Sequence, residues 1–160
     1  MSDFTNDTRS ITIKNAKIFY RNFSGRPGKY SGEGVRTFCV EVPNEQAAVL
    51  AEDGWNVRYR KARDPGDQDQ AYISVSLNYN YSIPPEIYRV VGKKVTLLSQ
   101  DNVGQLDTAE VIRVDLRIRP RRWGDNQIKA YVAKMYVTVE EDDLDAMYNF
   151  GDEEEDNPFV

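Results

Sequence analysis

Histidine is absent from this chain of 160 residues, and cysteine occurs only once, as Cys39. Without these residues the chain has no zinc site of the usual ligand set and no Ser-His or Cys-His nucleophile pair. A magnesium site needs only one or two carboxylates, and the composition is compatible with one. Because no tight group of Asp and Glu occurs in the body of the sequence, we predict a protein that is not an enzyme and has no cofactor or metal.

Several other signatures are missing as well. There is no GxGxxG or GxxxxGK(S/T) phosphate loop, and no apolar run approaches the roughly 20 residues of a membrane span. The opening residues, MSDFTNDTRS, are polar and of mixed charge, unlike a secretory signal peptide. A single cysteine forms no internal disulfide and suits a reducing compartment. We therefore expect a cytoplasmic protein, in the cytoplasm of the host cell if its source is a virus.

The charged residues are distributed unevenly along the chain. Residues 140–160 hold ten of the 26 Asp and Glu residues and none of the 21 Lys and Arg residues. Residues 1–139 therefore carry 21 bases against 16 acids, a net charge of +5, although the whole chain is at −5. A run of like charges does not collapse on itself and is typically a solvated interaction tail. The sequence thus predicts a basic body with an acidic tail.

The tail ends close to an aromatic residue, Phe159, which solubility alone does not require. We predict that residues 140–160 bind protein partners, with a plain solubility tail as the alternative. Because it is strongly acidic, the tail could also occupy a basic groove in place of a nucleic acid and yield to a real strand. The residues predicted to contact a partner are Asp152, Glu153, Glu154, Glu155, Asp156 and Phe159.

The body of the sequence alternates between apolar and polar residues, as strands do. The clearest alternations are at residues 72–80 and at 110–119, where Pro120 is expected to end the strand. One convincing helix is predicted, with Asn44 as its N-cap and Gly54 at its end. Six to eight strands with wide loops predict a mainly β, closed or nearly closed barrel over residues 10–139. Residues 1–9 are expected to be a disordered lead-in.

The strand predicted at residues 10–23 leaves two orientations open. Its phase slips near Lys14 and Asn15, as at a β-bulge. In one orientation Ile18 and Tyr20 point inward, and the outer face alternates between cations and aromatics: Lys17, Phe19, Arg21 and Phe23. In the other orientation Phe19 and Phe23 fill the core and Tyr20 faces water.

Groups of basic and aromatic residues recur in separate strands and loops, including a glycine-rich loop at 24–34 that holds Arg26, Lys29 and Tyr30. Cations neutralise backbone phosphates, and aromatic faces stack on unpaired bases of any identity. The bases of a duplex are already stacked, so this combination favours single strands. The predicted nucleic-acid-binding cations are Arg21, Arg58, Arg60, Lys61, Arg117, Arg119, Arg121 and Arg122, and the predicted stacking residues are Phe19, Phe23, Tyr59, Tyr79, Tyr81 and Trp123.

Two stretches resemble phage-encoded single-stranded DNA-binding proteins of the T7-like type: the strand ITIKNAKIFYRNF and the ending AYVAKMYVTVEEDDLDAMY. The similarity covers most of residues 10–160. It implies an OB-fold-like five-stranded Greek-key barrel with extra strands, one short helix and a disordered acidic tail. It also implies a protein that coats single-stranded DNA in phage replication and recombination and binds replication proteins through its tail. In that family an aromatic lies near the end of the tail, as Phe159 does here. The difference is that Val160, and not the aromatic, is the terminal residue.

Two other functions are compatible with the sequence. The first is a phage protein-interaction or regulatory module whose acidic tail binds a basic partner, with no nucleic-acid binding. The second is a metal-dependent nuclease that uses carboxylates of the body. As partners we expect single-stranded DNA and replication proteins, with no membrane, and the sequence is compatible with a homodimer.

Overall fold

The alternation along the chain produces ten β-strands in the part of the protein that a computed structural model describes, namely residues 3–7, 10–28, 32, 34–122, 124 and 127–141. The same part contains one α-helix, α1 (Asn44–Asp53), and one short 3₁₀-helix (Val103–Asp107). The strands are β1 (Phe4–Asp7), β2 (Ser10–Ile13), β3 (Ile18–Asn22), β4 (Arg36–Glu41), β5 (Arg58–Arg60), β6 (Gln70–Leu77), β7 (Glu86–Val91), β8 (Lys94–Leu98), β9 (Val111–Arg122) and β10 (Ile128–Val139).

The strand pairings form a ring. β3 pairs with β4 and β4 with β6, both antiparallel; β6 pairs with β10 in parallel, β10 with β9 antiparallel, and β9 with β2 antiparallel. Because β2 leads into β3, the segment from Ser10 to Asn22 contributes to both ends of this order. A hydrogen bond from Ala16 N–H to Val114 O (2.7 Å) continues the pairing with β9 beyond β2. The predicted mainly β, OB-like fold is therefore confirmed.

The inside of the ring is apolar because every second residue of each strand points inward. Phe38 and Phe23 stack there with ring centroids 5.2 Å apart, and neither side chain is exposed. Truncating either ring would cost about 3–5 kcal/mol of stability. The other strands of the ring contribute Ile11, Ile13, Val40, Ala71, Ile73, Val75, Leu77, Val114, Leu116, Ile118, Ala130, Val132, Met135 and Val137.

The segment from β2 to β3 bends between Ile13 and Ile18, where the phase slip was predicted. Asn15 has a φ of 53°, a left-handed conformation that asparagine tolerates better than most residues. Its N–H donates to an Asp115 carboxylate oxygen at 3.0 Å, which ties the bend to β9. The predicted phase slip near Asn15 is thus confirmed, although two strands, β2 and β3, take the place of one bulged strand.

The helix α1 lies between β4 and β5 in the chain and begins differently from the prediction. Pro43 occupies the N-cap position and Asn44 is the first helical residue, so the predicted cap was wrong. The Asn44 side chain instead joins the helix to the start of β6: it donates to Asp69 O at 2.9 Å and accepts from Ala71 N–H at 2.8 Å. Gly54 ends the helix with a φ of 111°, as predicted, because only glycine adopts this conformation without strain.

Two predictions were wrong, one about the residues before β2 and one about the end of β9. The expected disordered lead-in contains β1, which pairs with β2 and buries Phe4, at 8% exposed, against the core. Pro120 does not end β9, which continues to Arg122. Among the described residues, β2 pairs with β9 at Leu116–Ile118 and β10 is the strand beside Pro120, and edge positions tolerate proline.

Candidate nucleic-acid interface

A groove of about 950 Å³ runs over the outer face of the barrel, across β4 and β6. Phe38 and Val40 of β4 point into the core, so the alternate residues Thr37 and Cys39 point out and line the groove. One wall is formed by the end of α1 and the start of β10, which are held together by a hydrogen bond from Ile128 N–H to Gly54 O (2.9 Å). The groove is thus built on the rigid ring, with loops only at its margins.

A smaller cavity of about 190 Å³ continues the groove. Val35, Ser76 and Lys129 line both spaces, so the two form one continuous path. The path leads from β5 across β4 and β6 to Tyr79 and to Tyr131, which is a residue of β10.

The lining of this path is basic and aromatic. It contains three cations, Arg36, Arg58 and Lys129, and the described residues contribute no carboxylate to it. Its aromatic members are Tyr20, Trp55, Tyr72, Tyr79 and Tyr131. Such a surface attracts phosphates along its length and offers ring faces or edges to unpaired bases.

At the β5 end of the path, aromatic rings and an arginine form a connected cluster. The ring of Phe19 makes edge contacts with Tyr72 (centroids 5.1 Å apart) and with Tyr20 (4.8 Å). The guanidinium group of Arg60 lies over the Phe19 ring, 4.0 Å from its centre, and donates to Glu41 at 2.9 Å. The cluster therefore holds Tyr72 and Tyr20 in place at the margin of the groove.

At the β10 end, a second cluster surrounds Tyr131. The Tyr81 ring contacts Tyr131 edge-on (centroids 5.3 Å apart), with Arg121 over Tyr81 at 4.9 Å and Lys129 over Tyr131 at 5.4 Å. The hydroxyls of Tyr79 and Tyr81 are shielded from solvent and have no hydrogen-bond partner among the residues that the structure describes. Burial raises the pKa of Tyr79, and nearby Arg36 partly offsets this effect. Both hydroxyls could hydrogen-bond to a ligand in this end of the path.

The arginines of β9 extend this basic surface. They alternate with the buried residues Leu116 and Ile118 and so lie on the outer face. Across the β9–β10 pairing, the outer-face partners are Arg121 with Lys129, Arg119 with Tyr131 and Arg117 with Lys134.

Residues 2–158, nearly the whole chain, match the family described as "Putative phage ssDNA-binding domain". The chain belongs to this family. The barrel is accordingly a phage single-stranded DNA-binding domain, and single-stranded DNA is its partner. No curated protein and no solved structure matches the chain.

The described part of the phage single-stranded DNA-binding domain has neither a membrane-spanning helix nor a cluster of metal-binding side chains. No helix in its described residues is long and apolar enough to cross a membrane. No group of three or more Cys, Asp or Glu side chains in the same part of the chain is arranged to hold a metal ion.

In this DNA-binding domain, the structure brings several predicted residues to the path and its margins. Arg58 and Tyr79 line it directly, and Phe19, Arg60 and Tyr81 belong to the two flanking clusters. Arg117, Arg119 and Arg121 adjoin it on β9.

Phe23 is a wrong prediction as a stacking residue, because it is fully buried against Phe38. Arg21 has a structural contact: its guanidinium donates to Leu106 O and Ala109 O, each at 2.9 Å, and so ties β3 to the 3₁₀-helix region. Tyr20 is 67% exposed, so it faces water as in the second of the two orientations that the sequence left open.

The remaining predicted residues lie away from the groove or outside the described residues. Tyr59 pairs with Ala71 and thus faces the opposite side of β5 from Arg58 and Arg60, although its side chain is exposed. Lys61 is exposed beyond β5, and Arg122 donates to Asp53 O at 3.3 Å beside the end of α1. Trp123, Lys29, Tyr30 and the tail residues Asp152, Glu153, Glu154, Glu155, Asp156 and Phe159 lie outside the described residues.

Six cationic or aromatic residues of the path were not among the predicted DNA-binding residues: Tyr20, Arg36, Trp55, Tyr72, Lys129 and Tyr131. The signal for Tyr72 was its place on the polar side of the β6 alternation, opposite the buried residues Ile73 and Val75. Lys129 and Tyr131 alternate in the same way with Ala130. The sequence does not show that β6 and β10 are neighbouring strands. This pairing brings Tyr131 beside Ser76.

Proposed function

We propose that this protein coats single-stranded DNA without regard to base sequence, in a non-enzymatic role during phage replication and recombination. The observation that carries the proposal is the path across β4 and β6, with three cations, five aromatic side chains and no carboxylate among its described lining residues. Stacking on aromatic rings contributes about 1–3 kcal/mol per base and is tolerant of base identity.

The test is a titration of fluorescent oligo-dT at a series of salt concentrations. With four to six phosphates neutralised, log K against log salt should have a slope of about −3 to −4, at roughly 0.7 per phosphate on a single strand. A duplex of equal length should bind more weakly, because its bases are not free to stack. Equal affinity for the duplex would contradict the proposal, and no binding at all would favour a protein-interaction module.

We also propose that the acidic tail competes with DNA for the groove and recruits replication proteins. Support comes from its ten carboxylates, opposite in sign to the net +5 body, and from Phe159 near its end. A strand in the groove would release the tail, so DNA and the tail's partner would each raise the affinity for the other.

Truncation after Tyr148 tests the tail, because it removes five acidic residues and Phe159. Affinity for oligo-dT should rise, most strongly at low salt, where screening is weak. The matched control is Phe159→Ala, which keeps every charge and should leave DNA affinity nearly unchanged while weakening partner binding. An unchanged DNA affinity on truncation at both low and high salt would exclude competition.

A further inference from the structure

Two stacked aromatic side chains form a platform on the outer face of the barrel, towards the end of β10 and outside the groove. The rings of Tyr88 on β7 and Tyr136 on β10 are stacked, with centroids 4.8 Å apart and planes at 13°. Lys134 lies over both rings, at 6.0 Å from Tyr88 and 5.9 Å from Tyr136. Tyr136 is partly exposed, and none of these three residues lines the groove.

A bulge in β10 puts this platform on the same face as the groove. Val132 pairs with Ile118 and Lys134 with Arg117, so Ala133 has no partner on β9. The buried residues change from Val132 to Met135, two intervening positions instead of one. As a result Lys134 and Tyr136 share the outer face with Lys129 and Tyr131.

Basic residues connect the two sites without a gap. From the groove outward, the β9–β10 pairs are Arg121 with Lys129, Arg119 with Tyr131, and Arg117 with Lys134. Tyr136 comes next. The β9 partners of Tyr131 and Tyr136, Arg119 and Asp115, are four residues apart, so the two tyrosines are about 13 Å apart at the usual rise per strand residue. That length corresponds to at most about four nucleotides at the 3.4 Å spacing of a stacked strand.

The acidic groups beside the platform already have partners. Asp115, the β9 partner of Tyr136, forms an ion pair with Arg113 (3.1 Å) and accepts a hydrogen bond from Asn15 N–H. Glu86 accepts a hydrogen bond from the Tyr88 hydroxyl at 2.8 Å, which fixes the orientation of that ring. Among the described residues, Arg117 and Lys134 are the cations that lie between Tyr131 and Tyr136 on this face, and Glu86 is the β7 partner of Lys134.

We propose that single-stranded DNA leaves the groove at Tyr131, follows the outer face of β9 and β10, and stacks a base on the Tyr88–Tyr136 platform. The inference rests on the proposed function, since it extends the strand bound in the groove. Lys134 and Arg117 bind the phosphates between the two sites. A short strand fills the groove alone, and a longer strand also reaches the platform.

The test compares oligo-dT of about 6 and about 16 nucleotides, within the range of site sizes known for OB-folds. Tyr136→Ala and Lys134→Gln should leave affinity for the short strand unchanged and lower affinity for the long strand about fivefold or more. Lys134→Gln should also reduce the salt slope of the long strand by about 0.7. Tyr136→Phe keeps the ring and should bind both strands normally.

Leu97→Ala is the matched control. Leu97 of β8 is exposed and pairs with Tyr88 of β7, but it is neither aromatic nor basic. It should bind both lengths like the unmodified protein. Long-strand affinity that is unchanged in Tyr136→Ala and Lys134→Gln would overturn the inference, while short-strand binding would still support the groove. Equal losses at both lengths, or an equal loss in Leu97→Ala, would also overturn it. Failure of the unmodified protein to bind either strand would contradict the proposed function itself.

Discussion

The guanidinium group of Arg60 is stacked on the ring of Phe19, 4.0 Å from the ring centre. The same group forms an ion pair with Glu41 at 2.9 Å. Arg60 therefore stiffens the aromatic cluster at the margin of the groove, but part of its charge is compensated by a carboxylate. The pair can be separated experimentally, since removing the carboxylate charge leaves the stacked arginine.

Glu41→Gln is accordingly expected to increase affinity for oligo-dT by about two- to fivefold at low salt, because one charge interaction near the surface is worth about 1 kcal/mol or less. The gain should shrink as salt rises. Titration of labelled oligo-dT at two salt concentrations measures both effects. Glu110→Gln, which removes the charge of an exposed residue that does not line the groove, is the control; an equal gain there would indicate a general charge effect.

Tyr72 and Tyr59 should differ in their contribution to binding although both lie near the basic β5. Tyr72 lines the groove, whereas Tyr59 faces the opposite side of its strand from Arg58. Tyr72→Ala should lose about 1–3 kcal/mol of binding free energy, and Tyr59→Ala much less. Fluorescence anisotropy gives the affinities and thermal melting checks the fold. Comparable losses in both variants would contradict the assignment of the groove face.

Tyr20 combines strain with exposure, since its φ is 51° and its side chain is 67% exposed at the groove. A left-handed conformation costs a residue with a Cβ roughly 1–2 kcal/mol, and glycine avoids this cost. Tyr20→Gly should therefore stabilise the fold by about 0.5–1 kcal/mol and weaken DNA binding. Tyr20→Ala keeps the strain and should weaken binding without the gain in stability. Denaturant unfolding together with DNA titration measures both quantities, and a destabilised glycine variant would refute the strain argument.

Cys39 is the sole cysteine of the chain and lines the groove, so its alkylation reports on one site. Burial raises the pKa of the Cys39 thiol, and a hydrogen bond with Ser74 and the charges of Arg58 and Arg60 only partly oppose this. Because the thiolate is the reactive form, iodoacetamide should react more slowly than with an unhindered cysteine at the same pH. The rate should rise about tenfold per pH unit until the raised pKa is passed.

Oligo-dT should slow this reaction further at every pH, since a strand in the groove covers the thiol. The protein unfolded in denaturant is the control and should react like a free cysteine with or without DNA. A rate that DNA leaves unchanged in the folded protein would place the strand elsewhere on the surface.

Local pattern was sufficient to predict most strands and the class of the fold. In β6 and β9, alternation alone separated buried from exposed residues, because each strand has one face on the core. It failed where tertiary contacts override local preference. Pro120 continues β9 at a position where β10 is the one neighbouring strand in the described part of the chain, and Asn44 uses its side chain to bind β6 instead of capping α1.

The site was predictable only in part for the same reason. Runs of cations such as Arg58 and Arg60 stand out in the sequence, but which aromatics face the same groove depends on strand order. Phe23 and Phe19 are four positions apart in one segment, yet one fills the core and the other lies at the groove margin, because the backbone at Tyr20 leaves the regular strand conformation.

The unpaired Ala133 changes which residues of β10 face the solvent. Before it, odd-numbered residues face the solvent, as Tyr131 does; after it, even-numbered residues do, as Tyr136 does. Removing Ala133 alone would leave Val132 and Lys134 on their present faces, because their β9 partners, Ile118 and Arg117, are already consecutive. Pairing Ala133 with β9 in regular register would instead turn over the rest of the strand, with Lys134 inward and Met135 outward. The bulge itself therefore keeps Tyr131 and Tyr136 on one face, although an odd number of positions separates them.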